Sequence, residues 1–576
     1  MERDRGISPG AVVALGAGGI TFHEASATPA RSTLSRVQVL WRQQALVFIG
    51  LVMAVVVLQL LAGAYQAERG NYPDEAAHFL NGLLLRDYIR EGLGQNPVAF
   101  AEQYYLSYPK IAPAMWPPAF HMALGVFMLS GLPPFVAALL LLALATAWIA
   151  WRLFWIVRTD HPIGVAAVMT AMFLLTPMVI NLSSAVMVDI FVAVFAIEAT
   201  VWLATYFQTE NWRHAALFGF FSALACLSKG NGVSMVLVAP FMLLLTRKFR
   251  LLRQPGLYIA AAIVVAMAVP FLLVSYRLDA AIGDFSPVTA SDMLVRLKYY
   301  SREFWKQLGP LTMMLALIGF VTYTPKHGGR VRGESYLEPA MKALVLGALA
   351  FHEINSHSVY DVRYLTLAIA PLLALVPRGI QNVSSFIGSP DRRVVAQMVV
   401  LIVVAAGFLV GRPALASRTT FGFRQAVASL DERGLGGRRV LIVSDEGGEG
   451  AFVSEVAVRQ PNPAPTIIRG SKLLASDNWL GHNFRLLFSS SAELMRELED
   501  LHVDYLVIDK SVDPNYIAYR PQVEELIAAF PDRFEQVQAV KARRAINVYR
   551  LNRHSPGPPK KLRISLPNSL GKTLER

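Results

Sequence analysis

An acidic pair, Asp74-Glu75, follows soon after the first long apolar segment of the chain, in the sequence Asn-Tyr-Pro-Asp-Glu-Ala-Ala-His that ends at His78. A carboxylate placed where a membrane helix emerges into water can take the proton of a substrate hydroxyl, as a general base does. The structural alternative is a solvated loop whose acids favour the N-terminus of the next helix. The pattern makes Asp74 and Glu75 candidate catalytic residues, and the nearby His78 a candidate substrate-binding residue.

Other ionisable residues lie at the borders of apolar segments. Asp189 heads one segment, Lys229 lies in Leu-Ser-Lys-Gly between two others, and Arg363-Tyr364 opens a fourth. A charged side chain in the middle of a membrane span costs about 2.5–3.5 kcal/mol, so such residues are functional candidates. Their structural alternatives are a helix cap for Asp189, a snorkelling side chain for Lys229 and an ion pair with a nearby acid for Arg363.

These residue types fit group transfer from an anionic donor in the membrane to a hydroxyl acceptor. The carboxylate would deprotonate the acceptor, and lysine or arginine would hold the phosphate of the leaving group and neutralise its growing charge. Several aromatic residues are candidates for the lining of a sugar or lipid site: Tyr104, Tyr105, Trp116, Tyr299 and Tyr300.

The composition indicates a polytopic α-helical membrane protein. Of 576 residues, 54% are hydrophobic and only 16% are charged, with a mean hydropathy of +0.41. The net charge of +13 falls largely in short loops between apolar segments, which is typical of cytoplasmic loops and argues against nucleic-acid binding. The single cysteine, Cys226, excludes a disulfide framework or a cysteine metal site within the chain.

The apolar runs predict about eleven membrane spans plus one partial, re-entrant segment. The partial segment is 117–132, which opens with Pro117-Pro118; a full crossing there would place the basic N-terminal tail outside. The alternative is that a weak run elsewhere does not span. The predicted spans lie near 45–65, 134–157, 162–180, 189–207, 214–229, 231–246, 257–276, 309–324, 339–353, 361–377 and 394–411.

This orientation divides the chain into four regions. We expect a disordered cytoplasmic tail over 1–44, a transmembrane module over 45–411 and a disordered basic tail over 553–576. Within the module, 66–116 is a first outer loop with amphipathic helices. Alternating strand-like and helix-like segments over 412–552 predict an extracytoplasmic α/β domain. Its predicted strands are Val440–Ser444, Tyr505–Asp509 and Ala545–Leu551, its predicted helices are Ala492–Leu501 and Gln522–Phe530, and the glycine-rich segment Asp445–Gly450 is predicted as a turn.

The order of the motifs resembles a known family. Asp-Glu after the first helix, Pro-Pro opening the next apolar stretch, an Asp heading a later helix, Leu-Ser-Lys-Gly, and Arg-Tyr-Leu before a proline-containing helix follow one another. Over roughly residues 40–380 the chain resembles the polyprenyl-phosphate-sugar-dependent glycosyltransferases of the GT-C fold. It is similar to the branch that holds protein O-mannosyltransferases and lipid A aminoarabinose transferases.

The resemblance implies an inverting hexosyl- or pentosyltransferase of the inner (plasma) membrane. It would move a sugar from a polyprenyl-phosphate-linked donor to a hydroxyl acceptor on the outer side, the acceptor being a lipid, a glycan or a protein. By resemblance, Asp74 corresponds to the catalytic acid of the first loop, Glu75 to its companion and Asp189 to the second outer acid. The resemblance places Lys229 and Arg363, with Tyr364 beside it, near the lipid phosphate.

The chain departs from this family at one motif. Relatives often have lysine immediately before Pro-Pro, where this chain has Trp116, and the nearby Lys110 is the candidate replacement. Some relatives use a glutamate just before that lysine to bind a metal, and Met115 stands there. This departure argues against the family's metal site, and the candidate ligands that the sequence leaves for a divalent metal are three histidines: His78, His352 and His357.

Two other functions compete with the transferase. A transporter or flippase of a lipid-linked saccharide would use the intramembrane charges as a pathway, but transporters usually show internal repeats and the sequence shows none. A scaffold that recruits partners through its outer domain would leave the ordered motifs without a purpose.

Overall fold

The computed structural model describes residues 31–113, 115–279, 288–322, 336–354, 361–411, 417–476, 484–566 and 572–575. The chain divides into two units, Met1–Val47 and Phe48–Arg576. All contacts discussed below lie within the second unit. It consists of an all-helical part followed by a smaller part that combines a sheet with helices.

The helical part is built from apolar helices and a few amphipathic ones. Prolines begin several of them, where the missing backbone N–H has no cost. The helices are α1 Arg31–Leu61, α2 Glu75–Asp87, α3 Pro97–Ser107, α4 Ala119–Phe127, α5 Pro134–Asp160, α6 Ile163–Leu175, α7 Pro177–Ser183, α8 Asp189–Thr209, α9 Trp212–Cys226, α10 Met235–Thr246, α11 Gly256–Asp279, α12 Ala290–Leu308, α13 Pro310–Val321, α14 Leu337–Ile354, α15 Thr366–Ser384 and α16 Pro390–Gly411.

Each predicted apolar run coincides with a helix or a helix pair. Among the described residues, six segments are long and apolar enough to cross a membrane, or up to eight if each bent pair counts as one span. The pairs α6–α7 and α12–α13 are bent by 62° and 114°. The multi-pass helical architecture is confirmed, and the count of about eleven spans stays a prediction. The first candidate span, Gln43–Leu61, agrees with the predicted run 45–65, although the helix that contains it begins earlier, at Arg31.

The predicted partial segment 117–132 forms a short helix. Helix α4 has only 9 residues, too few to cross a bilayer, and a 3-10 turn, Met128–Ser130, follows it. Its backbone fits closely against α2, since a Cβ at Gly125 would approach the Leu85 Cβ to 2.8 Å. The segment therefore supports α2, the helix that begins next to Asp74.

The C-terminal region is an α/β domain, as predicted. Its sheet has the order β2-β1-β5-β7-β6, in which β1, β2 and β5 are parallel while β7 is antiparallel to both β5 and β6. The helices are α17 Phe423–Glu432, α18 Glu446–Arg459, α19 Gly470–Leu473, α20 Ser491–Asp500 and α21 Tyr519–Ala529. The strands are β1 Arg439–Val443, β2 Thr466–Arg469, β3 Ala475–Ser476, β4 Arg485–Leu486, β5 Tyr505–Asp509, β6 Phe534–Lys541, β7 Ala545–Leu551, β8 Arg563–Leu566 and β9 Lys572–Glu575.

Two local predictions for this domain are wrong. The segment Asp445–Gly450 is no free turn: Asp445 caps α18 by accepting from the Gly448 N–H, and the remaining residues form the first turns of the helix. Its glycines allow the close approach, since a Cβ at Gly447 would meet the Gly70 carbonyl oxygen at 2.6 Å. The tail after 552 is also structured in part, because β8 and β9 form an antiparallel pair.

The domain docks on the first loop through buried charged groups. The Glu68 carboxylate is buried and accepts hydrogen bonds of 2.9–3.2 Å from the backbone N–H groups at the start of α17. A carboxylate at a helix N-terminus satisfies donors that the helix itself leaves free. Next to it, Arg69 pairs with Glu455 of α18, with both side chains buried. The domain and the loop before α2 are therefore joined rigidly.

Candidate active site

Asp74 lies at the N-terminal boundary of α2, but its side chain does not cap the helix. Its carboxylate faces Arg363 instead, with 3.5 Å between Oδ2 and the guanidinium Nη2. About a quarter of the Asp74 side chain is exposed, 25%. The capping alternative therefore does not describe this carboxylate, which faces a cation from a distant part of the chain.

Arg363 lies in a 3-10 turn, Val362–Leu365, that leads into α15. Its Nε donates to Asp361 Oδ2 at 2.7 Å, and its backbone N–H donates to the same carboxylate at 3.0 Å. The predicted ion pair between Arg363 and a nearby acid is therefore present, but it does not occupy all the N–H groups of the guanidinium. Among the described residues, the buried Nη1 has no hydrogen-bond partner. Arg363 therefore has donors left for an anionic ligand.

Asp189 and Lys229 form an ion pair beside Arg363. The Lys229 ammonium donates to Asp189 Oδ1 at 2.7 Å and lies 4.7 Å from the centre of the Tyr364 ring. The Asp189 side chain is fully buried, and its Oδ2 has no partner within the described part of the chain. The turn after Lys229 needs glycine at 232, because a Cβ there would come within 2.1 Å of the Ala225 carbonyl oxygen.

Glu75 points away from this cluster of side chains. It is completely buried, and its Oε1 accepts a hydrogen bond of 3.2 Å from the Val186 N–H. The same oxygen pairs with Arg418, which the sequence analysis did not single out. The two neighbouring acids of the motif therefore have different surroundings, Asp74 partly open and Glu75 closed.

His78 and Trp116 lie next to each other in the first loop, with 4.8 Å between their ring centres. His78 Nδ1 lies 3.0 Å from His121 Nε2 on α4. Burial lowers the pKa of His78 well below its usual range, and the nearby His121, Lys229 and Arg363 lower it further. A neutral imidazole at this place fits a packing or hydrogen-bonding role.

The candidate metal ligands do not come together. Across the described ranges, no group of three or more His, Cys, Asp or Glu side chains could hold a metal ion. His352 stacks on the Tyr364 ring at 5.5 Å, while His78 contacts His121. His357 lies outside the described residues. The described donors therefore do not form a metal site.

Lys110 lies at the border between the first loop and the outer domain. Its Nζ donates to the Glu446 carbonyl oxygen at 3.1 Å. Burial and the charge of Arg469 lower its pKa to about 7, although Glu449 and Asp74 oppose the change. Lys110 and Asp74 therefore interact through their charges at a distance, since no hydrogen bond or ion pair joins them in the part of the chain described.

Sequence reasoning missed two residues of the cluster. Tyr72 presents its ring to the Arg363 guanidinium at 5.6 Å, and burial raises the pKa of its hydroxyl. Arg418 reaches Glu75 from the start of the outer domain, ahead of α17. Tyr72 stands two positions before Asp74 in the same motif and gave a weak signal, whereas Arg418 is one arginine among many and gave none.

Comparisons with known proteins show which family and which fold the chain is similar to. The model of the dolichyl-phosphate-mannose-protein mannosyltransferase family matches residues 116–274, a stretch that contains Asp189 and Lys229. No curated protein sequence matches the chain.

Solved structures show the same fold at low sequence identity. ArnT from Cupriavidus metallidurans, solved with bound undecaprenyl phosphate, has a TM-score of 0.50 at 14% identity, over 87% of this chain and 98% of that one. Its apo form gives a TM-score of 0.51. The oligosaccharyltransferase of Archaeoglobus fulgidus, solved with zinc and sulfate, has a TM-score of 0.53 at 13% identity, over 85% of this chain and 71% of that one. The chain is thus a multi-pass membrane protein with the GT-C fold, similar to glycosyltransferases that use polyprenyl-phosphate-linked donors, as its motifs predicted.

Proposed function

We propose that this protein is an inverting glycosyltransferase of the inner (plasma) membrane. It moves a sugar from a polyprenyl-phosphate-linked donor to a hydroxyl acceptor on the outer side. The observation that carries the proposal is the meeting of Asp74 and Arg363, 3.5 Å apart, from the first loop and the start of α15. A base for the acceptor and a cation for the leaving phosphate then share one cluster.

The reaction is a single displacement at the anomeric carbon. The acceptor oxygen forms a bond to that carbon while its proton passes to the Asp74 carboxylate. The bond between the anomeric carbon and the phosphate oxygen breaks, and the polyprenyl phosphate leaves with the electron pair. Because the attack and the departure occur on opposite faces, the configuration of the sugar inverts.

Arg363 and Lys229 bind the phosphate in this proposal. The Arg363 Nη1 that lacks a partner among the described residues can donate to a phosphate oxygen, and such charge-assisted bonds strengthen as the leaving group gains charge. Lys229 is already paired with Asp189, so its positive charge is shared between that carboxylate and the phosphate. Its ammonium also lies over the Tyr364 ring. Arg363 and Lys229 thereby supply the two positive charges that face the dianionic leaving group.

The outer location is supported by the loops. The basic segment Arg247–Arg253, after α10, is typical of the cytoplasmic side, and Lys229 lies at the opposite end of that helix. The C-terminal domain contacts the first loop that carries Asp74, so both belong to the same side of the membrane. The acceptor is a hydroxyl on a lipid, a glycan or a protein that reaches this side.

The test is sugar transfer in proteoliposomes that contain a polyprenyl-phosphate sugar donor. Asp74→Asn should lower kcat by roughly 10²–10⁴-fold, the usual contribution of a general base. Asp361→Asn is the matched control, because it also removes a carboxylate next to Arg363. We expect it to lower kcat by less than about tenfold, since the removed carboxylate does not act as the base.

Three results would count against the proposal. Normal transfer by Asp74→Asn would remove Asp74 as the base. Movement of the lipid-linked sugar across the bilayer by wild type, with no transfer from any donor, would favour the transporter. An equal loss in both variants would mean that the charge beside Arg363 matters and the identity of the base does not.

A further inference from the structure

The segment 417–422, which precedes α17 at the start of the C-terminal domain, is hydrogen-bonded to the chain just after α1. The Arg418 N–H donates to the Ala62 carbonyl oxygen at 2.8 Å, and the Glu68 N–H donates to the Thr419 carbonyl oxygen at 3.0 Å. Together with the Glu68 carboxylate on α17, these bonds hold residues 418–424 beside the first loop. The Arg418 backbone is therefore positioned by both the membrane module and the outer domain.

The Arg418 side chain reaches the motif that carries the proposed base. Its guanidinium pairs with Glu75 Oε1, and both side chains are buried, 5% and 0% exposed. Glu75 directly follows Asp74, and its Oε1 also accepts from the Val186 N–H at 3.2 Å. Val186 belongs to the turn that leads into Asp189. One carboxylate oxygen thus connects α2, the turn before α8 and the outer domain.

We infer that Arg418 is a positioning residue of the active site, supplied by the C-terminal domain. It holds Glu75, and through Glu75 it fixes the distance between Asp74 and Asp189. The inference rests on the proposed transferase function and assigns the outer domain a part in it. The domain therefore completes the catalytic site of the membrane module.

Burial explains why this role is positioning. Glu75 has no exposed surface, so it cannot take a proton from an acceptor in its present place. A buried carboxylate needs a charged partner, and removal of Arg418 would leave only one backbone donor from the described residues. The carboxylate would then move toward another donor, and Asp74 and the turn before Asp189 would move with it. Misplacement of reacting groups by about 1 Å can cost roughly 100-fold in rate.

The test compares four variants of the full chain in the proteoliposome transfer assay: Arg418→Ala, Arg418→Lys, Glu75→Gln and the double variant Arg418→Ala/Glu75→Gln. We expect Arg418→Ala to lower kcat by about 100-fold while the KM for the donor stays within about threefold, since Arg418 is buried against Glu75 and is not one of the proposed phosphate-binding residues. Arg418→Lys should recover part of the loss, and added guanidinium ions should recover part of it in Arg418→Ala. The double variant Arg418→Ala/Glu75→Gln should be no slower than Arg418→Ala, because the two groups act as one unit.

Arg438→Ala is the matched control. Arg438 pairs with Asp504 at 3.0 Å on the same domain, but half of its side chain is exposed. We expect wild-type kcat from this variant.

The outcomes separate the two proposals. If wild type transfers sugar and Arg418→Ala keeps the wild-type kcat, the inference is wrong and the transferase stands. A lowered kcat with no recovery by lysine or guanidinium, and with additive losses in the double variant, would mean a merely structural contact and would also overturn it. If wild type transfers no sugar from any donor, the transferase and the role of Arg418 fail together.

Discussion

Arg363 and Arg544, in two regions of the described chain, each meet two aspartates, and the two clusters differ in how completely the charges are paired. In the membrane module, Arg363 meets Asp361 and Asp74. In the outer domain, Arg544 meets Asp445 and Asp509 at the carboxyl ends of β1 and β5. The two arginine side chains are almost equally exposed, 14% and 17%. Burial therefore does not separate the clusters.

The hydrogen bonds do separate them. Arg544 uses both Nη atoms, at 3.0 Å and 2.8 Å from the two oxygens of Asp445, and a further bond of 2.6 Å reaches Asp509. Arg363 instead leaves Nη1 without a partner in the described chain, and its distance to Asp74 is a long 3.5 Å. A fully paired cluster has little to offer a ligand, whereas an incompletely paired one does. The sheet end at β1 and β5, where α/β domains often bind ligands, is thus closed by the chain's own arginine.

The strongest way to test this difference is to remove Arg544. Arg544→Ala leaves Asp509, whose side chain is fully buried, without its cation, and breaking a buried pair in this way costs about 3–5 kcal/mol. We expect a clear fall in the unfolding temperature of the full chain in detergent, together with faster amide exchange in β5. The donor KM of the protein that remains folded should not change.

Arg438→Ala again provides the comparison, because its half-exposed pair should contribute no more than about 1 kcal/mol. An unchanged unfolding temperature for Arg544→Ala would show that the second cluster does not stabilise the domain. The contrast with Arg363 would then be lost.

The opposite result is expected when Arg363 is removed. Arg363→Ala should raise the donor KM or Kd by roughly 10–100-fold, which corresponds to the loss of one or two charge-assisted hydrogen bonds. The unfolding temperature should change little, because Asp74 and Asp361 are partly exposed and water can solvate them. Binding of undecaprenyl phosphate to purified protein measures the affinity without catalysis. Unchanged affinity would exclude Arg363 from the phosphate site.

The sequence predicted what local patterns encode. The long apolar runs predicted the helices, and short strand-like apolar segments predicted β1, β5 and β7 to within about one residue. The ordered motifs predicted that Asp74 and Arg363 belong together, although they are 289 positions apart. These features succeed because hydropathy and motif order are visible in one dimension.

Long-range docking is not visible in this way. Nothing in the sequence around Arg418 indicates that it pairs with Glu75, 343 positions earlier. The glycines at 447 and 448 have the composition of a turn, but they begin a helix. Gly447 is needed there because the Gly70 backbone passes close to it, and Gly448 because the Ser444 side chain does. The separate surroundings of Asp74 and Glu75 also depend on that docking. A motif alone therefore could not distinguish a base from its supporting neighbour.

Lys110 lies between the Asp74 cluster and the outer domain, and the smallest expected effect concerns its protonation. Its pKa of about 7 predicts that half of its ammonium groups lose their proton near neutral pH, so its acylation should rise with a midpoint near pH 7. Mass spectrometry of the labelled peptide, with Lys110→Arg as the variant that cannot be labelled, measures that midpoint. Because the charge of Asp74 raises the pKa of Lys110, Asp74→Asn should move the midpoint to lower pH. A midpoint close to the ordinary lysine value of about 10.4 would show that Lys110 is solvated and does not share the electrostatic field of the active site.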